Sequence, residues 1–295
     1  MLSVLIPIYN QNVNKLVREL WEQLKKSKIT FEIICFDDGS TVKYLETNRS
    51  IESLLFVSYV ELRSNRGRSK IRNQLAQNAR YSKLLFLDSD SHIKSKKFIK
   101  NYIPHIEKED IICGGRIYNK RAPKDNKKRL HYDYGTKRES KPAAKRNKAP
   151  IRFFHTNNFI IDRALILRYP FNESVSQYGY EDLALASSLI KKGYDIKHID
   201  NPILHRGLEK SDVFLQKIDE SIDNLIMFYR IRSIDRTPLI RTFELLSKLN
   251  GTEVFAKYYE KRENKIIENL HSDSPSLRNL DYYKLYHFIK RIDSF

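Results

Sequence analysis

Long hydrophobic runs are absent from the sequence. No stretch of its 295 residues approaches the roughly 18 apolar residues that a transmembrane helix needs. The first residues, Met1-Leu2-Ser3-Val4-Leu5, include neither a basic leader nor a small-residue cleavage site, so we expect no signal peptide. Cysteine is scarce as well. Cys35 and Cys113 both lie in apolar runs, which favours buried thiols in a reducing compartment over a disulfide.

Acidic residues are too few to balance the basic ones. The chain has 36 Asp and Glu against 54 Lys and Arg, which makes a formal net charge of +18. The segment from Arg116 to Arg152 carries +11 of this charge, with fourteen bases and three acids. Such an excess favours anionic partners such as phosphates, acidic sugars, anionic lipids or nucleic acid. With 41% hydrophobic residues, the chain can still bury a core.

Apolar strand-like runs alternate with helical patterns early in the chain. The runs are Leu2–Ile8, Phe31–Phe36, Tyr59–Leu62 and Leu84–Leu87, and later ones follow at Ile111 and Phe159. This alternation is typical of an α/β fold whose mostly parallel sheet has right-handed crossovers. The segment of about 116–152 lacks such a pattern, and we interpret it as a basic insertion, either a mobile active-site loop or a solvated one.

Beyond about Ser211 the pattern is only helical. Apolar residues recur at helical spacing from Phe214 to Leu225, and helical stretches follow at Phe243–Leu249, Val254–Leu270 and Tyr282–Ile292. We therefore predict two domains, an α/β domain over 1–210 and a helical C-terminal extension over 211–295. The extension could bind a substrate, form oligomers, dock on anionic lipid or simply cap the fold, and the oligomeric state stays open.

The central motif is Asp88-Ser89-Asp90, which follows four apolar residues. In an extended strand both aspartates would point to the same side. Ligands of open α/β sheets bind at the carboxyl ends of the strands. Two carboxylates there suit a divalent cation that also holds a diphosphate. The alternative is that these three residues only form a turn.

An ordered set of motifs resembles family 2 glycosyltransferases over about residues 2–207. The motifs are Pro7-Ile8-Tyr9-Asn10, Asp37-Asp38-Gly39-Ser40, Asn65-x-Gly67 before Arg72-Asn73, Asp88-Ser89-Asp90, Glu181-Asp182 and His205. The resemblance implies the GT-A fold, a Rossmann-like nucleotide-sugar-binding sheet. It also implies inverting transfer of a sugar, by default from a UDP-sugar, to a hydroxyl of a glycan or lipid-linked acceptor in polysaccharide or cell-envelope synthesis. Ile71 departs from the pattern, because the family usually has a small residue there.

The first three motifs predict a nucleotide-sugar site. Pro7 and Tyr9 lie where a strand ends and could sandwich a nucleobase, unless Tyr9 is part of the core. Asp38 could accept a hydrogen bond from a base N–H group, although its tetrapeptide is also a good turn. Arg72, near a helix start, could converge with helix N–H groups on phosphate, and Asn65 lies close enough in sequence to reach the nucleotide. Ser89 is the last residue of the predicted nucleotide-sugar site.

The later motifs predict the metal site and the chemistry. By resemblance, Asp88 contacts the ribose or the metal, and Asp90 ligates Mn²⁺ or Mg²⁺ together with His205, unless that histidine is structural. Asp182 is the expected general base for the acceptor hydroxyl, with Glu181 as an acceptor or sugar contact. The alternative is that both acids only stabilise a helix N-terminus.

Two other functions compete with this interpretation. A nucleotidyltransferase of a sugar-phosphate would open with a glycine-rich loop, and residues 7–11 contain no glycine. A nucleic-acid-binding protein would explain the charge and the basic segment with Tyr132 and Tyr134, but not the ordered carboxylates. We therefore expect a cytoplasmic glycosyltransferase, with contact to the inner face of an anionic membrane as an open option.

Overall fold

The apolar runs of the sequence become strands, and those in the middle of the sheet are buried on both faces. The computed structural model describes residues 1–174, 179–234 and 236–292. Its strands are β1 (Leu2–Ile8), β2 (Phe31–Asp37), β3 (Val57–Glu61), β4 (Lys83–Leu87), β5 (Ser91–His92), β6 (Ile111–Cys113), β7 (Arg116–Ile117), β8 (Asn158–Asp162), β9 (Ile196–His198) and β10 (Ile203–His205).

Seven of these strands form the central sheet in the order β3-β2-β1-β4-β8-β6-β9. Strand β8 runs antiparallel to β4 and to β6, and the remaining pairings in this sheet are parallel. The prediction of a mostly parallel α/β sheet is confirmed. A small second sheet has the order β5-β10-β7, with β10 antiparallel to β5 and parallel to β7.

Helices fill most of the intervals between strands and the whole C-terminal part. They are α1 (Asn14–Lys26), α2 (Val42–Asn48), α3 (Arg68–Asn78), α4 (Phe98–Ile106), α5 (Arg129–Tyr134), α6 (Ala143–Arg146), α7 (Arg163–Arg168), α8 (Glu181–Lys191), α9 (Ser211–Arg230), α10 (Pro238–Lys248), α11 (Thr252–Glu260), α12 (Glu263–His271) and α13 (Leu277–Ile292). Within the described residues, no helix is both long enough and apolar enough to cross a bilayer.

The contacts divide the chain into two compact units. The first comprises Met1–Ile117, Ser140–Ser176 and Ser188–Gly207 and holds both sheets. Its core lies between α1 and the central sheet. The buried residues of α1 recur at helical spacing and pack with apolar residues of β1 and β2. These α1 residues are Leu16, Val17, Leu20 and Leu24. This periodicity explains why the segment forms an amphipathic helix on the sheet.

The second unit comprises Tyr118–Glu139, Gln177–Ser187 and Leu208–Phe295. Within it, α13 packs on α9, and Arg291 Nη2 lies 3.0 Å from Asp219 Oδ1 across that interface. The functional domains 1–210 and 211–295 stay a prediction. One detail of the helical pattern was wrong, because Val254–Leu270 forms two helices, α11 and α12, with a break at Lys261-Arg262.

The basic segment is folded. It contributes β7, α5 and α6, and it buries Leu130 and the guanidinium of Arg146. Both cysteines are buried, and within the described residues neither forms a disulfide, as the sequence indicates.

Candidate active site

Hydrogen bonds join the loops that follow β1 and β2. Asn10 N–H donates to Ser40 Oγ at 2.7 Å, and Thr41 N–H donates to Asn10 Oδ1 at 2.9 Å. Tyr9, the residue before Asn10, is 54% exposed, which excludes the alternative that it is part of the core. Pro7, in the same strand end, is half-buried beside Phe36 of β2. The Tyr9 ring is therefore available to a ligand.

The two aspartates after β2 have different partners. Asp37 Oδ2 accepts from Tyr59 Oη at 3.0 Å, so Asp37 braces the loop. Asp38 Oδ1 accepts from Arg66 N–H at 2.7 Å, and Asp38 Oδ2 accepts from Gly67 N–H at 3.1 Å. Burial raises the pKa of Asp38 in spite of these two hydrogen bonds.

Asp38 thus holds the loop before α3, and each of its oxygens keeps a second lone pair for a ligand. Gly39 permits this arrangement because its backbone has a φ of 77° and a Cβ there would meet the backbone of Ser64 and Asn65. Asn65 itself is exposed in this loop.

Arg72 reaches from α3 to the end of β4. Its Nη2 lies 2.6 Å from Asp88 Oδ1, and the side chain is almost completely buried. Arg68, one turn earlier on α3, lies 3.8 Å from Asp88 Oδ2. Burial opposes ionisation of Asp88, but Arg72, Arg68 and Arg116 outweigh it and hold its pKa below the usual value. Asp88 is therefore a carboxylate at neutral pH.

The Asp88-Ser89-Asp90 motif is a turn and not an extended strand. Strand β4 ends at Leu87, and Ser91 N–H donates to the carbonyl oxygen of Asp88 at 3.0 Å. The expectation that strand alternation aligns the two carboxylates was wrong, because the chain turns at Ser89, between the two aspartates. The turn, with half-buried Ser89 at its centre, still leaves both carboxylates at the carboxyl end of β4.

Asp90 and His205 meet because β5 pairs with β10. His205 is opposite Ser91 in this pairing, and its Nδ1 lies 3.2 Å from Asp90 Oδ2. Burial raises the pKa of Asp90, His205 opposes that shift, and the nearby charge of Asp88 adds to it. Gly207 packs against the pair, and a Cβ at this position would clash with Asp90 Oδ2.

The donor atoms of this pair suit a divalent metal. A carboxylate oxygen beside an imidazole nitrogen fits Mn²⁺ better than Mg²⁺, which prefers oxygen ligands. Among the residues that the structure describes, no group of three or more His, Cys, Asp or Glu side chains could hold a metal ion. A metal held here would therefore need ligands from the substrate as well, and the assignment of Asp88, Asp90 and His205 as ligands stays a prediction.

Glu181 and Asp182 lie in the second unit, in the first turn of α8. Glu181 is buried, and its Oε2 accepts a hydrogen bond from Gly179 N–H at 3.0 Å. Gly179 has a φ of 104°, and its carbonyl accepts from Asn224 Nδ2 at 3.0 Å. Glu181 thus holds the turn that precedes the helix, and Asp182 is half-buried beside it. Their catalytic roles stay predictions.

Comparison with known proteins decides the family. Residues 3–171 match the sequence model described as "Glycosyl transferase family 2", which is more than half of the chain. The chain belongs to glycosyl transferase family 2. The predicted family is confirmed, and its match spans the loops after β1 and β2, the start of α3 and the Asp88-Ser89-Asp90 turn.

Relatives of this family 2 member include one sequence and many structures. An uncharacterised glycosyltransferase of Bacillus subtilis, YfnE, is 26% identical over 238 residues, which cover 65% of this chain and 60% of that protein. A mannosyltransferase from Pyrobaculum calidifontis, solved with GDP-Man and Mn²⁺, has a TM-score of 0.57 at 13% identity and matches 99% of this chain and 86% of its own. S. aureus TarS 1-349 with UDP-GlcNAc has a TM-score of 0.50 at 18% identity, over 99% and 90% of the two chains. These likenesses confirm the GT-A fold.

Sequence reasoning missed three residues of this family 2 site. Arg68 precedes Arg72 by four positions, so the two share a helix face, and this spacing could have identified it. The positive charge of Arg116, on β7, favours the ionised forms of Asp88 and Asp90. No local pattern could identify it, because it is distant from both aspartates in sequence. Gly207, two residues after His205, leaves the space that Asp90 occupies.

Proposed function

We propose that the protein is a metal-dependent inverting glycosyltransferase that moves a sugar from a nucleotide-sugar to a hydroxyl group. The observation that carries this proposal is the cluster of Arg72, Asp88, Asp90 and His205 at the carboxyl end of β4, in a chain of family 2. UDP-sugars are the default donors. The related structures were solved with UDP-GlcNAc and with GDP-Man, so both bases belong in a test.

The nucleotide would bind across the loops after β1 and β2. The exposed ring of Tyr9 offers a stacking surface for the base, and the free lone pairs of Asp38 could accept from a base N–H group. Pro7, Asn65 and Ser89 complete the set that the family resemblance implies.

Asp90 and His205 would hold Mn²⁺ or Mg²⁺, with Asp88 next to them. When bound, the metal would neutralise negative charge on the diphosphate leaving group. Arg72 keeps Asp88 ionised, and Arg68, which is more exposed, is placed to meet a phosphate oxygen. The chain therefore supplies preorganised charge where the leaving group gains negative charge.

Asp182 is our proposed general base. In inverting transfer one carboxylate takes the proton of the acceptor hydroxyl as its oxygen attacks the anomeric carbon. The family resemblance assigns this role to Asp182, which is half-buried, whereas Glu181 is buried and accepts a hydrogen bond from Gly179 N–H. Glu181 would then position the loop and contact the acceptor or the sugar.

The acceptor would be a glycan or a lipid-linked sugar in polysaccharide or cell-envelope synthesis, which implies a cytoplasmic protein with a peripheral contact to the membrane. Three apolar side chains at the end of α10 and the start of α11 support that contact: Leu245, Leu249 and Val254 are 58%, 70% and 70% exposed. Exposed Lys248, Lys257 and Lys261 lie in the same stretch of chain, which also carries exposed Glu253 and Glu260. We name the three apolar residues and the three lysines the α10–α11 tip. Apolar side chains beside lysines suit an anionic lipid surface.

A thermal-shift panel tests the proposed function. We expect the protein to melt at a higher temperature with Mn²⁺ and one nucleotide-sugar than with either alone, because a ligand that binds only the folded state stabilises it by mass action. Release of the matching nucleoside diphosphate in the presence of acceptor would follow. Stabilisation by neither UDP- nor GDP-sugars, with or without Mn²⁺, would contradict the proposal.

A further inference from the structure

Asn157 carries a buried amide that the protein leaves without a hydrogen bond. Its side chain is 4% exposed, and neither Nδ2 nor Oδ1 has a partner among the residues that the structure describes. Buried polar side chains in folded proteins nearly always have a partner, and an unmade bond is costly. The neighbouring Asn158 shows the contrast, because its Oδ1 accepts from Tyr102 Oη at 2.6 Å and its Nδ2 donates to the Gly115 carbonyl at 2.9 Å.

Asn157 lies directly opposite Asp88. In the antiparallel pairing of β4 and β8, Leu87 is opposite Asn158, so the next pair beyond the ladder is Asp88 and Asn157. Asp88 N–H donates to the Asn157 carbonyl at 3.3 Å and confirms this register. Directly opposed residues of an antiparallel pair point to one face, with Cβ atoms about 5 Å apart. This register makes the Asn157 and Asp88 side chains neighbours on one face at the end of the two strands.

The face that these two residues share is the one covered by α3. Phe86 and Phe159, two positions before Asp88 and two after Asn157, stack on each other with centroids 4.9 Å apart. Arg72 reaches Asp88 Oδ1 on this same face. Because side chains alternate along a strand, Asn158 and its partner Tyr102 lie on the other face. Asn157 thus faces the side of the sheet that carries Arg72 and Asp88, and not the side where Asn158 bonds Tyr102.

We propose that Asn157 binds a hydroxyl group of the transferred sugar and helps to select the donor. An amide offers both a donor and an acceptor, as a sugar hydroxyl does, so one such ligand can satisfy both of its unpaired atoms. A phosphate oxygen only accepts and would leave Oδ1 unpaired. This inference rests on the proposed function, because Asn157 is opposite Asp88, which that function assigns to the nucleotide-sugar.

The test compares Asn157→Leu with the unaltered protein. Leucine is close to asparagine in size and removes both polar atoms. In titrations with Mn²⁺ we expect the affinity for the preferred ligand, UDP-GlcNAc or GDP-mannose, to fall about tenfold, the size of a lost hydrogen bond or two. The affinity for UDP or GDP without a sugar should stay within about twofold.

Melting temperatures separate a binding role from a structural one. Asn157→Leu should melt at or above the temperature of the unaltered protein, because it removes an unpaired buried amide. The matched variant Asn158→Leu should melt lower, because Tyr102 Oη and two carbonyl groups lose their partner. An equal drop in both variants would overturn the inference, since the amide would then be structural.

Two binding results distinguish the possible failures. If the unaltered protein binds nucleotide-sugars and Asn157→Leu binds them equally well, or loses affinity for UDP or GDP to the same extent, the sugar contact is wrong while the proposed function stands. If the unaltered protein binds neither nucleotides nor nucleotide-sugars, the proposed function fails, and the inference fails with it.

Discussion

Asp90 is the residue whose replacement should separate metal binding from folding. It is in contact with His205 and half-exposed, so Asp90→Ala removes the proposed metal ligand without opening a core cavity. We expect Mn²⁺-dependent binding of the nucleotide to be lost and the melting temperature of the free protein to be preserved. Titration calorimetry with and without Mn²⁺ measures the first, and thermal unfolding the second.

The matched control for this variant is Asp195→Ala, which removes an exposed carboxylate in the same unit. It should bind the nucleotide as the unaltered protein does. Mn²⁺-dependent binding that survives in Asp90→Ala would move the metal site elsewhere.

Asp182 should matter for the transfer step and not for donor binding. Asp182→Asn keeps the shape of the side chain but cannot take up a proton at neutral pH. We predict a fall in turnover of about 10²-fold or more, the usual effect of losing a general base, with unchanged donor affinity. Initial rates at saturating donor measure it.

Glu181→Gln is the companion variant, because it keeps an acceptor for Gly179 N–H. A larger loss of turnover in Glu181→Gln than in Asp182→Asn would exchange the two roles.

Single residues also show how far the sequence could be interpreted. Asp88, Asp90 and His205 were identified by motif, and the structure brings Asp90 and His205 into contact. The sequence pattern could not decide between an extended strand and a turn at Ser89, because the end of a strand depends on hydrogen bonds to neighbouring strands. Asn157 gave no signal, since the burial of an amide depends on the register between β4 and β8.

At the scale of elements, helix α6 is tied to strand β9 through one histidine. His198 Nδ1 lies 2.7 Å from Arg146 Nη1, and His198 Nε2 lies 3.0 Å from the Pro150 carbonyl. A guanidinium can only donate, so Nδ1 accepts and Nε2 carries the proton. Arg146 donates in addition to the carbonyl groups of Gly114 and Ile199, at 3.1 and 2.6 Å. Protonation of His198 would place a second charge against this guanidinium.

This arrangement predicts a stability that depends on pH. Burial, with the charge of Arg146, lowers the pKa of His198 to about 4 from an ordinary value of about 6.5. Between these values the unfolded state binds more protons than the folded state. The free energy of unfolding should therefore fall as the pH drops from about 6.5 to about 4. Urea unfolding at several pH values measures it.

His198→Gln provides the comparison, because the glutamine oxygen can still accept a hydrogen bond from Arg146 but does not titrate. The difference in the free energy of unfolding between the two proteins should narrow as the pH falls from about 6.5 to about 4. If this difference stays constant with pH, His198 does not contribute to the acid sensitivity of the protein. Other histidines would then account for the remaining acid sensitivity.

Secondary structure was predictable where the pattern was local. Strands β1, β2 and β4 and the amphipathic helix α1 follow from apolar spacing in the sequence. The antiparallel direction of β8 could not be predicted from the sequence, because it depends on the path of the chain between Cys113 and Asn158. The break between α11 and α12 was hidden too, since apolar residues continue through Lys261-Arg262.

At the scale of the whole molecule, the net charge of +18 and the α10–α11 tip predict binding to anionic membranes. The purified protein should sediment with vesicles that contain anionic lipid. Bound protein should decrease as salt rises from about 0.05 to 0.5 M, because screening weakens the attraction of exposed charges. Sedimentation followed by gel densitometry measures the bound fraction.

The triple variant Leu245→Ser, Leu249→Ser, Val254→Ser should sediment less at every salt concentration. Its control is Val42→Ser with Leu55→Ser, which removes similarly exposed apolar residues from the first unit. Equal sedimentation with neutral and anionic vesicles would remove the membrane contact and leave an acceptor-binding, oligomerising or capping role for the C-terminal helices.

The buried cysteines make the protein a convenient host for a single spectroscopic probe. Cys35 and Cys113 are both inaccessible, and burial raises the pKa of the Cys35 thiol far above its ordinary value, so it is rarely a thiolate. Maleimide reagents, which react with accessible thiolates, should leave the native protein unlabelled. A cysteine introduced at exposed Leu55 would then be the one reactive thiol, without removal of either natural cysteine. A fluorophore or spin label at that position could follow nucleotide binding in an otherwise unaltered enzyme.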